Sequence, residues 1–194
     1  MKSKFKQRIW ILFVLLAYFP VSVFAQLGFY EGYVVTNQND SVFGKIGIGE
    51  KKHIIEYCVL KKDGEDIKYY PDNFQRFGYL QGACYVTNVL RDTIVQVLVE
   101  GKLSLYKLQT TLYIQKEKEK VTKLDNYTEK VIRNGQVYYV ESVKWKGLLT
   151  YVTSDCIPGP DVIDKLHLLE NELTDFVVNY NKCSKSEYTL YKSK

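Results

Sequence analysis

Apolar and polar positions alternate in twos along most of the chain, and the period becomes helical only near the C-terminal end. The runs 30–36 and 42–48 flank four turn-forming residues, Asn37-Gln38-Asn39-Asp40, and predict a β-hairpin. The run 53–60 enters a polar stretch holding Asp63-Gly64, a hairpin dipeptide, and the chain returns through 67–70 to Pro71. Residues 72–76 read as a turn. Further strand-like runs follow at 77–80, 83–89, 93–99, 103–108 and 111–115, separated by Gln81-Gly82, Leu90-Arg91-Asp92 and Glu100-Gly101. The charge run Lys116-Glu117-Lys118-Glu119-Lys120 reads as an exposed connection or as solvated strand ends. Asn134-Gly135, between 131–133 and 136–140, is the strongest hairpin signal in the chain.

Helical spacing begins at Trp145, Leu148, Leu149 and Val152, which predict a short helix over about 143–153 with Ser142 as N-cap. The longest helical signal covers 161–183. There Val162, Leu166, Leu169, Leu173, Phe176 and Tyr180 are spaced by fours and threes and fall on one stripe. Asp161, following Pro158-Gly159-Pro160, is the predicted N-cap, and Asp164 adds a carboxylate where the helix dipole favours it. Nine or ten short strands followed by two helices predict an α+β fold. Its antiparallel β-rich body is a curved sheet, a partial barrel or a sandwich, with both helices C-terminal. The wide apolar face of the long helix needs a concave partner, which favours the curved forms.

The first 25 residues differ from the rest. Lys2, Lys4, Lys6 and Arg8 precede an apolar run of 11 residues, Pro20 and a Val23-Phe24-Ala25 cleavage-type triplet, the features of a secretory signal. The predicted division is therefore a leader at 1–25, one domain at 26–183, and a closing segment at 184–194 that is a tail or adds an edge strand. Removing the leader changes the charge argument. The chain is +5 overall, but its remainder carries 23 basic against 22 acidic residues, so nothing implies a nucleic-acid partner. The strand runs fall short of the 9–11 residues of a membrane-crossing strand, so an integral membrane protein is not expected after leader removal. The 17 tyrosines suit a pleated, half-buried sheet surface.

Four cysteines, Cys58, Cys84, Cys156 and Cys183, and an export signal favour disulfides over metal ligation. Spacing leaves three full pairings open, and buried free thiols are the other reading. Cys156 with Cys183 is the preferred pair because the two flank the long helix. A straight helix of that length spans roughly 30 Å, so the Pro-Gly-Pro segment would have to fold back along it.

Gly32-Tyr33-Val34-Val35-Thr36 and Asp40-Ser41-Val42-Phe43-Gly44-Lys45-Ile46 resemble the opening of a set of exported β-rich proteins of the Bacteroidota. The resemblance continues in Tyr70-Pro71-Asp72 with Phe77-Gly78, in the segment from Val97 to Tyr106, and in Tyr180-Asn181-Lys182-Cys183. It implies an envelope location and no particular activity. It also implies that Asp-Ser/Thr-apolar triplets can carry O-glycans, which makes Ser41 and Thr93 candidate sites; turn preference explains the same residues equally well.

A catalytic site needs titratable groups brought together. The two histidines, His53 in a predicted strand and His167 on the predicted long helix, have no second ligand at metal spacing. No nucleophile elbow or phosphate-binding glycine loop occurs, and no cofactor is implied. Tyr69, Tyr70, Phe74, Phe77 and Tyr79 around Pro71 form a candidate recognition cluster, with plugging of the core as the alternative role of Phe74 and Phe77. The expectation is a non-enzymatic binding or assembly component of the cell envelope, periplasmic, outer-membrane-associated or extracellular, with an envelope protein or glycan as partner. A small hydrolase acting on envelope glycan or peptide is the alternative.

Overall fold

The computed structural model describes residues 28–156 and 160–192. The expected leader and the Pro158-Gly159 pair lie outside them. The first strands are β1 (Tyr30–Thr36), β2 (Ser41–Lys51), β3 (Ile54–Lys62) and β4 (Glu65–Tyr69). They are followed by β5 (Phe74–Tyr79), β6 (Cys84–Val86), β7 (Val95–Glu100), β8 (Leu103–Leu108), β9 (Thr111–Lys116) and β10 (Thr122–Leu124). All ten join one antiparallel sheet in the order β10-β9-β8-β7-β6-β5-β1-β2-β3-β4. Then come a separate two-stranded ribbon, β11 (Tyr127–Arg133) with β12 (Gln136–Ser142), and three helices. The helices are α1 (Lys144–Val152), α2 (Pro160–Asp164) and α3 (Glu170–Cys183).

The α+β reading with C-terminal helices therefore holds, and the sheet curls without closing into a barrel. Its curvature has local causes. Register shifts at Val35/Thr36, at Gly49/Glu50 and between Val97 and Val99 are bulge-type irregularities, which increase twist and bend a strand. The last of these puts both Leu98 and Val99 into the helix-side core. The curl brings the turn after β2 to the turn after β8, where the Gln109 side-chain amide donates to the Lys52 carbonyl at 3.3 Å.

One core lies within the first half of the sheet, centred on Val34, Ile46, Leu60, Phe74 and Phe77, all fully buried. A second joins β7 to β10 to the helices through Leu103, Leu105, Leu124, Leu149, Leu173 and Val177. A smaller third contains Cys84, Val86, Val95, Val97 and Tyr106. By alternation along β7 and β8 it occupies the opposite side of the sheet.

The helical region departs from the expected single rod. Helix α2 ends at Asp164, and α3 begins only at Glu170, with Leu169 extended before it. Asp161 is thus a first-turn residue of α2 instead of a cap on a long helix. The break is held by the Glu172 carboxylate, which accepts the His167 backbone N–H at 2.7 Å. The apolar stripe is real only from Leu173 onward, where Leu173, Phe176, Val177 and Tyr180 are buried; Val162 and Leu169 are exposed and Ile163 is buried in their place. Helix α1 forms close to where its period predicts, but Ser142 is the last residue of β12 and Val143 precedes the helix without a side-chain cap.

Breaking the rod lets the chain double back, and the disulfide between Cys156 and Cys183 forms, with Cα atoms 5.9 Å apart. Three further contacts fix the end of α3. Asn181 is fully buried; its Oδ1 accepts the Leu103 N–H at 3.0 Å and its Nδ2 donates to the Leu103 carbonyl at 2.8 Å. Residue 101 is glycine where this amide passes, since a Cβ there would lie 2.9 Å from Asn181 Nδ2. The Tyr180 hydroxyl donates to Asp155, which also pairs with Lys102 at 3.0 Å and Lys116 at 2.9 Å.

The residues after Cys183 fold back onto the sheet. Strand β13 (Thr189–Leu190) pairs with Glu100 and Val99 of β7, beyond the point where the three-residue β6 stops. The closing segment thus adds an edge strand, completing a pairing that β6 leaves short.

Asn181→Ala strands a buried N–H and a buried C=O together, each costing about 1–3 kcal/mol. A stability loss of about 2–5 kcal/mol is expected, read from the urea midpoint with unchanged m-value. A shift under about 0.5 kcal/mol would show that water replaces the amide freely.

Candidate functional site

Three regions carry exposed or convergent chemistry. The largest is the ribbon β11–β12, whose strands pair only with each other, Tyr127 opposite Ser142 through Arg133 opposite Gln136. None of residues 127–140 is buried. The Asn134-Gly135 tip supplies the two left-handed residues that a tight hairpin requires, with φ of 51° and 75°. Ile132, Val137 and Tyr139 share one face by alternation, while Val131, Tyr138 and Val140 share the other. Ile132 is 66% exposed and Tyr139 73%. A two-stranded ribbon has no interior of its own and is marginal in water. This one is fastened at its base to α1, where Trp145 Nε1 donates to Asn126 Oδ1 at 2.6 Å and Lys144 pairs with Glu129 at 2.6 Å.

The sequence-predicted aromatic cluster does not assemble into one surface. Phe74 and Phe77 are fully buried and pack edge to face with centroids 5.6 Å apart, so they build the core and present nothing to a ligand. Tyr69 is half-buried against the same core. Tyr70 is exposed beside Tyr57, at 5.5 Å. Tyr79 packs edge to face on Tyr30 at 5.7 Å and helps line a groove of about 610 Å³ with Leu80, Ala83, Glu31 and Lys192. Start and end of the described chain meet in this groove.

Titratable groups are dispersed. His53 lies in the turn between β2 and β3, with φ 63°, and not in a strand. His167 lies in the link between α2 and α3, its Nδ1 3.1 Å from Glu172. Cys58 and Cys84 are free and buried. Burial pushes the Cys58 thiol up to about 12 and raises that of Cys84 as well, against the pull of the nearby Arg76. Both are therefore held as thiols, the unreactive form. No group of three His, Cys, Asp or Glu suited to a metal occurs among the described residues. Of the candidate glycan sites, Ser41 is exposed where β2 begins and Thr93 is half-buried.

One ionic constellation went unseen in the sequence. Arg76 makes a two-pronged pair with Glu100, at 2.7 and 3.1 Å, and the Tyr191 hydroxyl donates to the same carboxylate at 3.0 Å. The partners come from β5, from the end of β7 and from the closing segment, and no local pattern links them. The contact locks the closing segment over the sheet.

No protein-family model matches the chain, and neither a curated protein nor a solved structure matches it.

The hydrogen bonds from Arg76 hold the Glu100 carboxyl below its ordinary range, outweighing its partial burial. A lowered folded-state pKa gives stability that is present above the ordinary carboxylate pKa, about 4.3, and is lost as pH falls through the folded value. Glu100→Gln is expected to be less stable than the parent at pH 7 and to lose less stability between about pH 4.5 and pH 3. Parallel acid limbs in denaturant titrations of the two proteins would contradict the pair's role.

Proposed function

We propose that the protein is exported and acts as a non-enzymatic binding or assembly component of the cell envelope, with an envelope protein or glycan as partner. The observation carrying this reading is the ribbon β11–β12. It stands off the main sheet with apolar side chains on both faces and with two strand edges unpaired. Exposed apolar surface of this kind marks interaction sites, and open strand edges accept an added strand. The disulfide between Cys156 and Cys183 suits an oxidising compartment and agrees with the export signal read in the sequence. The two remaining thiols are buried, which suits the same setting. Ser41, exposed at the start of β2, is the better of the two proposed O-glycan sites.

The ribbon is tested by substituting Ile132→Lys together with Tyr139→Glu, which leaves the main sheet and helices untouched. Affinity capture from the native envelope is expected to recover a stoichiometric partner with the parent protein. The double variant should recover roughly tenfold less at unchanged melting temperature. Equal recovery with both proteins would remove the ribbon from the interaction.

A further inference from the structure

The two edges of the ribbon differ in charge. Strand β12 carries no lysine or arginine from Gln136 to Ser142. Strand β11 carries Glu129, Lys130 and Arg133, with Val131 midway between Glu129 and Arg133. By alternation Glu129, Val131 and Arg133 lie on one face of the ribbon.

The turn decides which backbone groups of β11 are open. The two-residue turn Asn134-Gly135 closes on Arg133 opposite Gln136. That pair exchanges hydrogen bonds across the ribbon, and the pattern alternates from there. Glu129, Val131 and Arg133 therefore turn their backbone groups toward β12, while Thr128, Lys130 and Ile132 turn theirs outward. All three outward residues are exposed. Among the described residues no strand pairs with this edge. An edge of open N–H and C=O groups is a template for another strand, and added strands give a marginal ribbon the width it lacks.

Charge selects the strand that fits. A second copy of β11 laid antiparallel and centred on Val131 sets Val131 against Val131. Glu129 then meets Arg133 of the second copy, and Arg133 meets Glu129 of the second copy, so one complementary pair is made twice. Centring on Glu129 or on Lys130 sets like charges against each other, and centring on Ile132 brings no opposite charges together. Strand β12 has no basic residue to make such a pair with itself. In the Val131 register the charged pairs are of the non-hydrogen-bonded kind, whose side chains stand closest. Lys130 and Ile132 exchange backbone hydrogen bonds with Ile132 and Lys130 of the second copy. Arg133 is exposed near the tip and pairs with no acid among the described residues. Glu129 holds Lys144 through Oε1, and a carboxylate, with about four lone-pair sites, takes a second donor. Because the strands run antiparallel, the two bodies fall at opposite ends of the shared sheet.

We propose that two copies of this chain pair through the β11 edges of their ribbons, about a twofold axis at Val131, to form a four-stranded sheet in the order β12-β11-β11-β12. This rests on the reading of the ribbon as an interaction site and names one partner for it. The β12 edges and the faces of the shared sheet stay available to an envelope partner.

Sedimentation velocity on the native protein, from micromolar to submillimolar concentration, tests the pairing. A reversible monomer–dimer equilibrium is expected, weaker at high salt. Arg133→Glu, at an exposed position, should weaken it roughly tenfold or more, and so should Glu129→Arg. An equimolar mixture of the two variants should dimerise again, because the arginines of one then face the glutamates of the other. Val131→Cys should oxidise to a covalent dimer, since non-hydrogen-bonded partners hold their Cα atoms about 4.5 Å apart, within disulfide reach. Thr128→Cys should not. A parent that stays monomeric over the whole range overturns the proposal, as does a dimer that Arg133→Glu leaves unchanged or a mixture that stays monomeric. A monomeric parent that still captures an envelope partner through the ribbon overturns self-pairing alone and leaves the interaction reading standing.

Discussion

The buried amide of Asn181 joins helix to sheet by imitating a neighbouring strand. It takes both backbone groups of Leu103, one as acceptor and one as donor. A side-chain amide can do this only where helix and strand approach closely, and Gly101 permits the approach. Around it the Asp155 cluster and the Cys156–Cys183 disulfide tie the same helix end to the segment after α1. These contacts place α3 over β7 and β8 and bury Leu173, Phe176 and Val177. The closing segment can then return to β7.

With the helices committed to one half of the sheet, the other half must cover itself. It does so by curling, which buries Phe74 and Phe77 and brings the β2–β3 turn to the β8–β9 turn. The ribbon is the element that neither solution reaches. Its base is fixed by Trp145 and Lys144, and its faces remain in solvent. Rigid clamp and uncovered ribbon belong to the same architecture, a stable platform presenting a projecting element.

Much of the architecture was legible because local chemistry and fold agree. The strand over 103–108 was readable to the residue, since Glu100-Gly101 marks the turn before it. The Cys156–Cys183 pair was readable from its position around the helix. The failures occur where one period hides another cause. Leu166 and Leu169 continue the helical spacing through a break held by a carboxylate five residues on. Phe74 follows turn residues but begins a strand. Residues 131–140 read like ordinary sheet strands yet are the most exposed apolar stretch. The site residues were harder still. Asn181 reaches across 78 positions to Leu103, a contact that no local pattern announces. The five aromatics around Pro71 misled because the register irregularity opposite Val35/Thr36 breaks the alternation of β5 and turns both Phe74 and Phe77 inward, while Tyr70 stays outside.

Amide hydrogen exchange at Leu103, followed by NMR in the native protein, tests the clamp most directly. Its N–H is bonded to Asn181 Oδ1 instead of to a strand, so its protection reports the docking of α3 on the sheet. Leu103 is expected among the slowest-exchanging amides, in the class that opens only with global unfolding. Exchange at the rate of the neighbouring turn residues would mean that α3 lifts off independently, and would contradict the placement of Asn181 as the joint on which the fold depends.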